Sequence, residues 1–178
     1  EKTATYDRAI ADYFSGQRTA DSGQQEELPE RLHLEFRRQE TLRYGENPHQ
    51  RAALYALGGT GILPVTSKGT GADAVPPANL VAARRLGGKE LSYNNLLDLD
   101  SALAIVRSLR DPASVVIKHN NPCGAAEAAT LADAARLALA GDPLSAFGSV
   151  LGFNRTVDAT TAEVLCDPAL FIEAIVAP

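Results

Sequence analysis

The run Ser114-Val115-Val116-Ile117, closed by Lys118, constrains the fold more than any other stretch of the chain. It is short, apolar and rich in β-branched residues, which is the pattern of a buried strand. Helical patterns flank it. Leu96, Leu99, Leu103 and Val106 recur at three- and four-residue steps, which predicts an amphipathic helix. After a loop over 119–124, an alanine-rich stretch has high helix propensity. Its residues Leu131, Ala134, Ala135, Ala138 and Leu139 share one face, and Gly141 and Pro143 stop it.

The pattern continues in both directions. Leu32, Leu34 and Phe36 alternate with polar residues, and Ala52 to Leu57 forms a second short strand pattern. Val150, Leu151 and Phe153 predict a further strand, Thr160 to Cys166 a short helix, and Leu170 to Val176 a last strand. Near the start, Ile10, Tyr13 and Phe14 have helical spacing before Gly16, and a polar linker runs over 17–30. Strands alternating with helices predict an α/β sandwich.

Composition excludes several classes. The 178 residues are enough for one domain with its own core. Asp plus Glu number 22 against 17 for Lys plus Arg, a balance that argues against a nucleic-acid partner. No apolar run reaches membrane-spanning length. The two cysteines, Cys123 and Cys166, are too few for a disulfide framework and predict reduced thiols in a cytoplasmic protein. Glu1 at the start and an apolar run broken off at Pro178 predict an excised piece of a longer protein.

Three clusters carry chemistry. The first is Lys118-His119-Asn120-Asn121-Pro122-Cys123-Gly124, expected between a buried strand and a helix. Strand ends of α/β folds and helix starts both receive ligands. Histidine is the side-chain type whose ordinary pKa lies near neutrality, so His119 suits a general base, and Lys118 beside it suits an oxyanion-stabilising donor. A solvated strand end and a loop-capping histidine fit the same residues, and spacing leaves both readings open. The second cluster is Arg43-Tyr44-Gly45-Glu46-Asn47-Pro48-His49-Gln50, in which Arg43 has the fork geometry for a phosphate or carboxylate. As bare sequence it also reads as a polar connecting loop. In the third, Asp142 to Gly148, the glycine permits close backbone approach to a ligand or serves packing.

Two motif readings fail. The stretch over 58–77 contains Ser67-Lys68-Gly69 where a phosphate loop needs Gly-Lys-Ser/Thr, and it reads as a surface insertion. A zinc deaminase pairs His-x-Glu with Pro-Cys-x-x-Cys. His33-Leu34-Glu35 lies upstream and Pro122-Cys123 is present, but position 126 is alanine. The ligand set is incomplete, so a Cys-Pro turn and no metal are expected.

In order, LRYGENPHQRAALY, GKELSYNNLLDLDSA, VVIKHNNPCG, GDPLSAFGSVLGFN and FIEAIVAP resemble the bifunctional AICAR transformylase/IMP cyclohydrolase family over about 42–178. The resemblance implies a three-layer α/β/α sandwich, cytidine-deaminase-like but without zinc. It assigns 1–40 to a junction helix and linker after an absent cyclohydrolase domain. It assigns 41–178 to the first subdomain of the transformylase half. The implied reaction moves a formyl group from 10-formyltetrahydrofolate, the co-substrate, to AICAR in IMP biosynthesis. The resemblance makes His119 the proton acceptor and Lys118 the transition-state stabiliser. It places Arg43, Tyr44, His49, Gly148 and Glu173 at the nucleotide. It further implies a homodimer.

The match has departures: the longer insertion over 58–77, Ser149 where many bacterial members have glycine, and no second subdomain. The alternative is a catalytically incomplete subdomain that only binds nucleotide or mediates dimerisation.

Overall fold

The computed structural model describes Thr3, Tyr6, Asp7 and Ile10, then residues 36–57 and 79–178. Thr3, Tyr6, Asp7 and Ile10 are helical, in agreement with the first helical pattern. They belong to a separate unit, Glu1–Leu34, and the rest forms a second unit, Glu35–Pro178. Tyr13, Phe14, the linker over 17–30, Leu32, Leu34 and the insertion over 58–77 lie outside the described residues.

The second unit opens with an antiparallel pair, β1 (Phe36–Thr41) and β2 (Ala53–Leu57). Strand β1 therefore runs six residues onward from Phe36, past the alternation that Phe36 ends. Polar Arg37, Arg38 and Glu40 stay in the strand because the β2 backbone pairs with them, whatever their pattern, and Gln39 is the extra residue where the register shifts.

Helix α1 (Tyr93–Ser108) follows a short 3₁₀ turn at Leu80–Ala82. Ser92 caps it in a reciprocal box: its hydroxyl accepts from the Asn95 N–H, and the Asn95 side chain accepts from the Ser92 N–H. Next come β3 (Ala113–Lys118), β4 (Asn121–Glu127), α2 (Leu131–Gly141) and the single-turn α3 (Pro143–Ala146). The chain closes with β5 (Ser149–Phe153), α4 (Ala159–Leu165) and β6 (Ile172–Val176).

Four strands form a mixed sheet in the order β4-β3-β5-β6. Strand β3 is antiparallel to both neighbours, and β5 and β6 are parallel. Alternate β3 residues point to different cores. Val115 and Ile117 join Leu99, Ala102, Leu103 and Val106 of α1. Val116 joins Leu131, Ala135, Ala138 and Leu139 of α2. Each such side chain contributes about 1.5–3 kcal/mol on burial, so the doubly covered strand anchors both packings. The apolar run that constrained the fold is wholly buried, and Lys118 at its end is half-buried.

The loop-then-helix expectation for 119–130 is corrected. The loop is two residues long, and Asn121–Glu127 is a strand. Helix α2 starts only at Leu131, capped by Thr130. The Cys-Pro turn is corrected with it: Pro122 and Cys123 lie in β4. Val116 pairs with Gly124 and Ile117 with Pro122, so Cys123 is the extra residue of a bulge. Proline is tolerated there because β4 is an edge strand of the sheet. Gly124 is needed for packing, since a Cβ on it would sit 2.0 Å from the Ala138 carbonyl oxygen in α2.

Candidate active site

The two residues between β3 and β4 are His119 and Asn120, with φ of 52° and 64°. Two left-handed central residues between paired strands make the hairpin turn whose twist matches the sheet. Histidine and asparagine are among the non-glycine residues most often found in this region. Helix α2 starts only at Leu131, so its first N–H groups do not open directly from this turn as expected. The turn instead has three side-chain hydrogen bonds. The Asn120 N–H donates to Asp98 Oδ1 at 2.6 Å, and the Ser101 hydroxyl donates to Asn120 Oδ1. Asn121 Nδ2 donates to the His119 carbonyl at 2.9 Å.

Lys118 is directed by the segment between α3 and β5. Its Nζ donates to the Phe147 carbonyl at 2.9 Å. Gly148, the next residue, has φ of 74°, and its N–H donates to the Phe171 carbonyl at 2.6 Å. Phe147 and Phe171 lie ring against ring, 5.6 Å between centroids. Glu173 follows at the exposed start of β6. The end of β3 and the starts of β4, β5 and β6 thus share one sheet edge, as the pairing directions require. Lys118, His119, Gly148 and Glu173 all stand there.

A groove of about 250 Å³ opens at this edge, lined by Lys118, His119, Asn121, Pro122, Cys123, Asp142 and Ser145. Asp142 caps α3 and accepts from the Ser145 hydroxyl at 2.6 Å and the Ser145 N–H at 3.1 Å. The Ser145 hydroxyl, then its N–H, hold the Asp142 carboxyl below its ordinary value. Burial pushes the Cys123 thiol up, Asp142 adds to the rise, and Lys118 opposes it. Among the described residues no three His, Cys, Asp or Glu side chains gather into a metal-binding group.

Arg43, Tyr44, Gly148, His49 and Glu173 do not line this groove. Arg43 and Tyr44 are tied instead to the start of α1. The Arg43 N–H donates to the Leu91 carbonyl at 2.9 Å, and the Tyr93 N–H donates to the Tyr44 carbonyl at 3.1 Å. The Arg43 guanidinium carbon stands 4.9 Å from the centre of the Tyr44 ring. Asn94 Nδ2 donates to the Glu46 carbonyl at 3.0 Å. His49 is exposed in the turn closed by the Gln50 N–H on the Asn47 carbonyl.

Sequence reasoning missed the residues that link these parts. Asn94, Asp98 and Ser101 lie on one face of α1, at steps of four and three. Asn94 holds the loop with Arg43 and Tyr44, and Asp98 and Ser101 hold the turn with His119. The signal was a polar stripe beside Leu99, Ala102, Leu103 and Val106, a pattern that reads equally as a solvated face.

The fold and this edge define an α/β domain with a Lys-His pair at the mouth of a groove, a class that includes group-transfer enzymes. A family model described as the AICARFT/IMPCHase bienzyme matches residues 1–178. The chain is 57% identical over 178 residues to the bifunctional purine biosynthesis protein PurH of Rhodopirellula baltica, covering 100% of this chain and 30% of that protein. It is 44% identical over 176 residues to the protein of the same name from Acidithiobacillus ferrooxidans, covering 99% and 30%. It is 45% identical over 179 aligned positions to that from Thermosynechococcus vestitus, covering 99% and 31%. The chain belongs to the AICARFT/IMPCHase bienzyme family, and it spans about 30% of the length of these relatives.

Proposed function

We propose that this chain contributes the catalytic base and its neighbouring cation to formyl transfer from 10-formyltetrahydrofolate to AICAR, within purine biosynthesis. The observation that carries this reading is the Lys118-His119 pair, fixed at the rim of the groove by a left-handed turn and by the Phe147 carbonyl. Family membership supports the choice of reaction.

The AICAR amine is a weak nucleophile because its lone pair is delocalised into the ring and carboxamide. His119 accepts a proton as the amine nitrogen bonds to the formyl carbon. The bond from that carbon to the folate nitrogen breaks, and the folate nitrogen takes up a proton. Lysine has three N–H donors. Phe147 occupies one on Lys118, which leaves two for the formyl oxygen as it gains charge. Arg43 and Tyr44 grip the nucleotide from the loop fastened to α1, with His49 in the same loop and Gly148 and Glu173 at the sheet edge.

On this reading 41–178 is the first subdomain of the transformylase half, a three-layer α/β/α sandwich of the cytidine-deaminase kind with no metal at its site. Residues 1–40 are the junction that precedes it. The full-length protein is cytoplasmic and homodimeric. In the full-length polypeptide carrying this segment, His119→Ala lowers turnover by about 10²–10⁴-fold, with little change in nucleotide affinity. A His119→Ala protein that folds normally and keeps near-wild-type turnover refutes the assignment. The 178-residue chain alone should transfer little or no formyl group, because positioning by the rest of the site is missing.

A further inference from the structure

We infer that Asp98 is a positioning residue for His119, acting with Ser101 through the backbone of Asn120. This rests on the reading of His119 as the base. The turn carrying His119 places two side-chain-bearing residues in the left-handed region, at φ of 52° and 64°. Neither is glycine, and each costs free energy that its surroundings must offset. The offset comes from α1. The Asp98 carboxylate accepts the Asn120 N–H at 2.6 Å, a short charge-assisted bond. Ser101, one turn further along the same face, donates to the Asn120 side chain.

Helix α1 is itself rigidly placed. Its neighbouring face, Leu99, Ala102, Leu103 and Val106, is buried against β3 and β5. Asp98 therefore transmits the position of a core helix to a two-residue turn that is otherwise exposed. The same helix face carries Asn94, which holds the Glu46 carbonyl in the loop of Arg43 and Tyr44. Asp98 and Tyr93 are about one and a half turns apart, roughly 7 Å along the axis. The face sets the base against the nucleotide-gripping loop, so losing Asp98 moves one without the other.

The test is steady-state kinetics of formyl transfer in the full-length polypeptide carrying this segment, with melting temperature measured on the same samples. Asp98→Ala should lower kcat by about 10–100-fold, the scale of a small misplacement, and leave the KM for AICAR within about threefold. Asp98→Asn keeps an acceptor oxygen at the same reach and should retain most of kcat. Asn120→Gly, added to Asp98→Ala, should restore part of the lost kcat, because glycine enters the left-handed region without the clamp. A merely structural role predicts a lower melting temperature with normal kcat per folded molecule, and no rescue by glycine.

Near-wild-type kcat in Asp98→Ala, with His119→Ala inactive, overturns the positioning role and leaves the base standing. Normal turnover in His119→Ala overturns the base, and Asp98's part in catalysis with it. Should Asp98→Ala fail to fold, Asp98→Asn and Ser101→Ala decide. Equal loss of kcat in Asp98→Asn and His119→Ala at unchanged melting shows that charge, not the hydrogen bond, matters, and overturns the inference. Retained kcat in Asp98→Asn with a several-fold drop in Ser101→Ala supports it.

Discussion

Lys118 Nζ donates to the carbonyl oxygen of Phe147 at 2.9 Å, which fastens the last residue of β3 to the residue before left-handed Gly148. The bond aims the ammonium group across the sheet edge rather than into solvent. Lys118→Ala removes both this tie and the proposed oxyanion donor. Lys118→Arg keeps the charge but spreads the donors over a planar fork. Both should lower single-turnover rates in the full-length polypeptide sharply, with Ala at least as damaging as Arg. On the proposed mechanism Lys118 and His119 serve one step, so the double replacement should cost less than the two single losses combined. Full additivity of the two losses argues that they act separately.

Gly124 lets α2 lie directly on β4. A methyl group at this position meets the Ala138 carbonyl oxygen at 2.0 Å, and backbone cannot yield as a flexible side chain does. Gly124→Ala should destabilise the domain by at least about 1–3 kcal/mol, the usual cost of overpacking. Urea denaturation of the isolated chain measures it, and an unchanged midpoint refutes this account of the glycine.

That glycine also shows where sequence reading stops. Asn121 to Glu127 has two alanines, Ala125 and Ala126, directly after Gly124 and no β-branched residue, so propensity favours a helix after Gly124. Pairing with the buried β3 outweighs propensity and makes a strand. By contrast, β3, β5, α1 and α2 were legible because burial writes period and composition directly into them. Lys118 was legible as a candidate site residue because it abruptly ends an apolar run. His119 was legible as a candidate base, though its left-handed turn was not, since His-Asn lacks the glycine that marks such turns. Asp98 and Ser101 were silent because their partner lies across the fold.

Asn154 is a buried polar residue with every role visible. Its Oδ1 accepts from the Ala113 N–H at 2.8 Å, and its Nδ2 donates to the carbonyls of Leu109 and Asp111 at 3.3 and 2.8 Å. It thus clamps the link between α1 and β3. Asn154→Ala leaves the Ala113 N–H buried without its partner, which costs about 1–3 kcal/mol. Chemical denaturation should show that loss, and amide exchange should quicken at Ala113. Unchanged protection at Ala113 contradicts the clamp.

Asp142 links acidity to stability at the edge of the groove. The Ser145 hydroxyl and N–H favour its ionised form, so its folded-state value lies below the unfolded one. The stabilisation is full above the unfolded value and is lost as pH falls through the folded value, on the acid side of about pH 4. Asp142→Asn keeps a capping oxygen but cannot titrate. The melting-temperature advantage of wild type over Asp142→Asn should therefore shrink as pH falls from 7 to 3. An advantage that grows on acidification reverses the sign and rejects the assignment.

Cys123 and Cys166 are both free thiols, but their settings differ. Cys166 is exposed, whereas Cys123 is the half-buried bulge residue of β4 and packs beside the α2 core. Burial, then the Asp142 charge, push the Cys123 thiol above its ordinary value, against the pull of Lys118. Only the thiolate reacts readily with alkylating reagents. At neutral pH, iodoacetamide should label Cys166 first and Cys123 slowly, with the Cys123 rate rising as the solution is made alkaline. Cys123 also lines the groove with Lys118 and His119. In the full-length polypeptide carrying this segment, a nucleotide seated at that rim should slow labelling of Cys123 and leave Cys166 unaffected. Mass spectrometry of the two peptides, with and without AICAR, reads both rates. Equal protection of the two thiols points to a general tightening of the protein, and no protection of Cys123 places the nucleotide away from the groove.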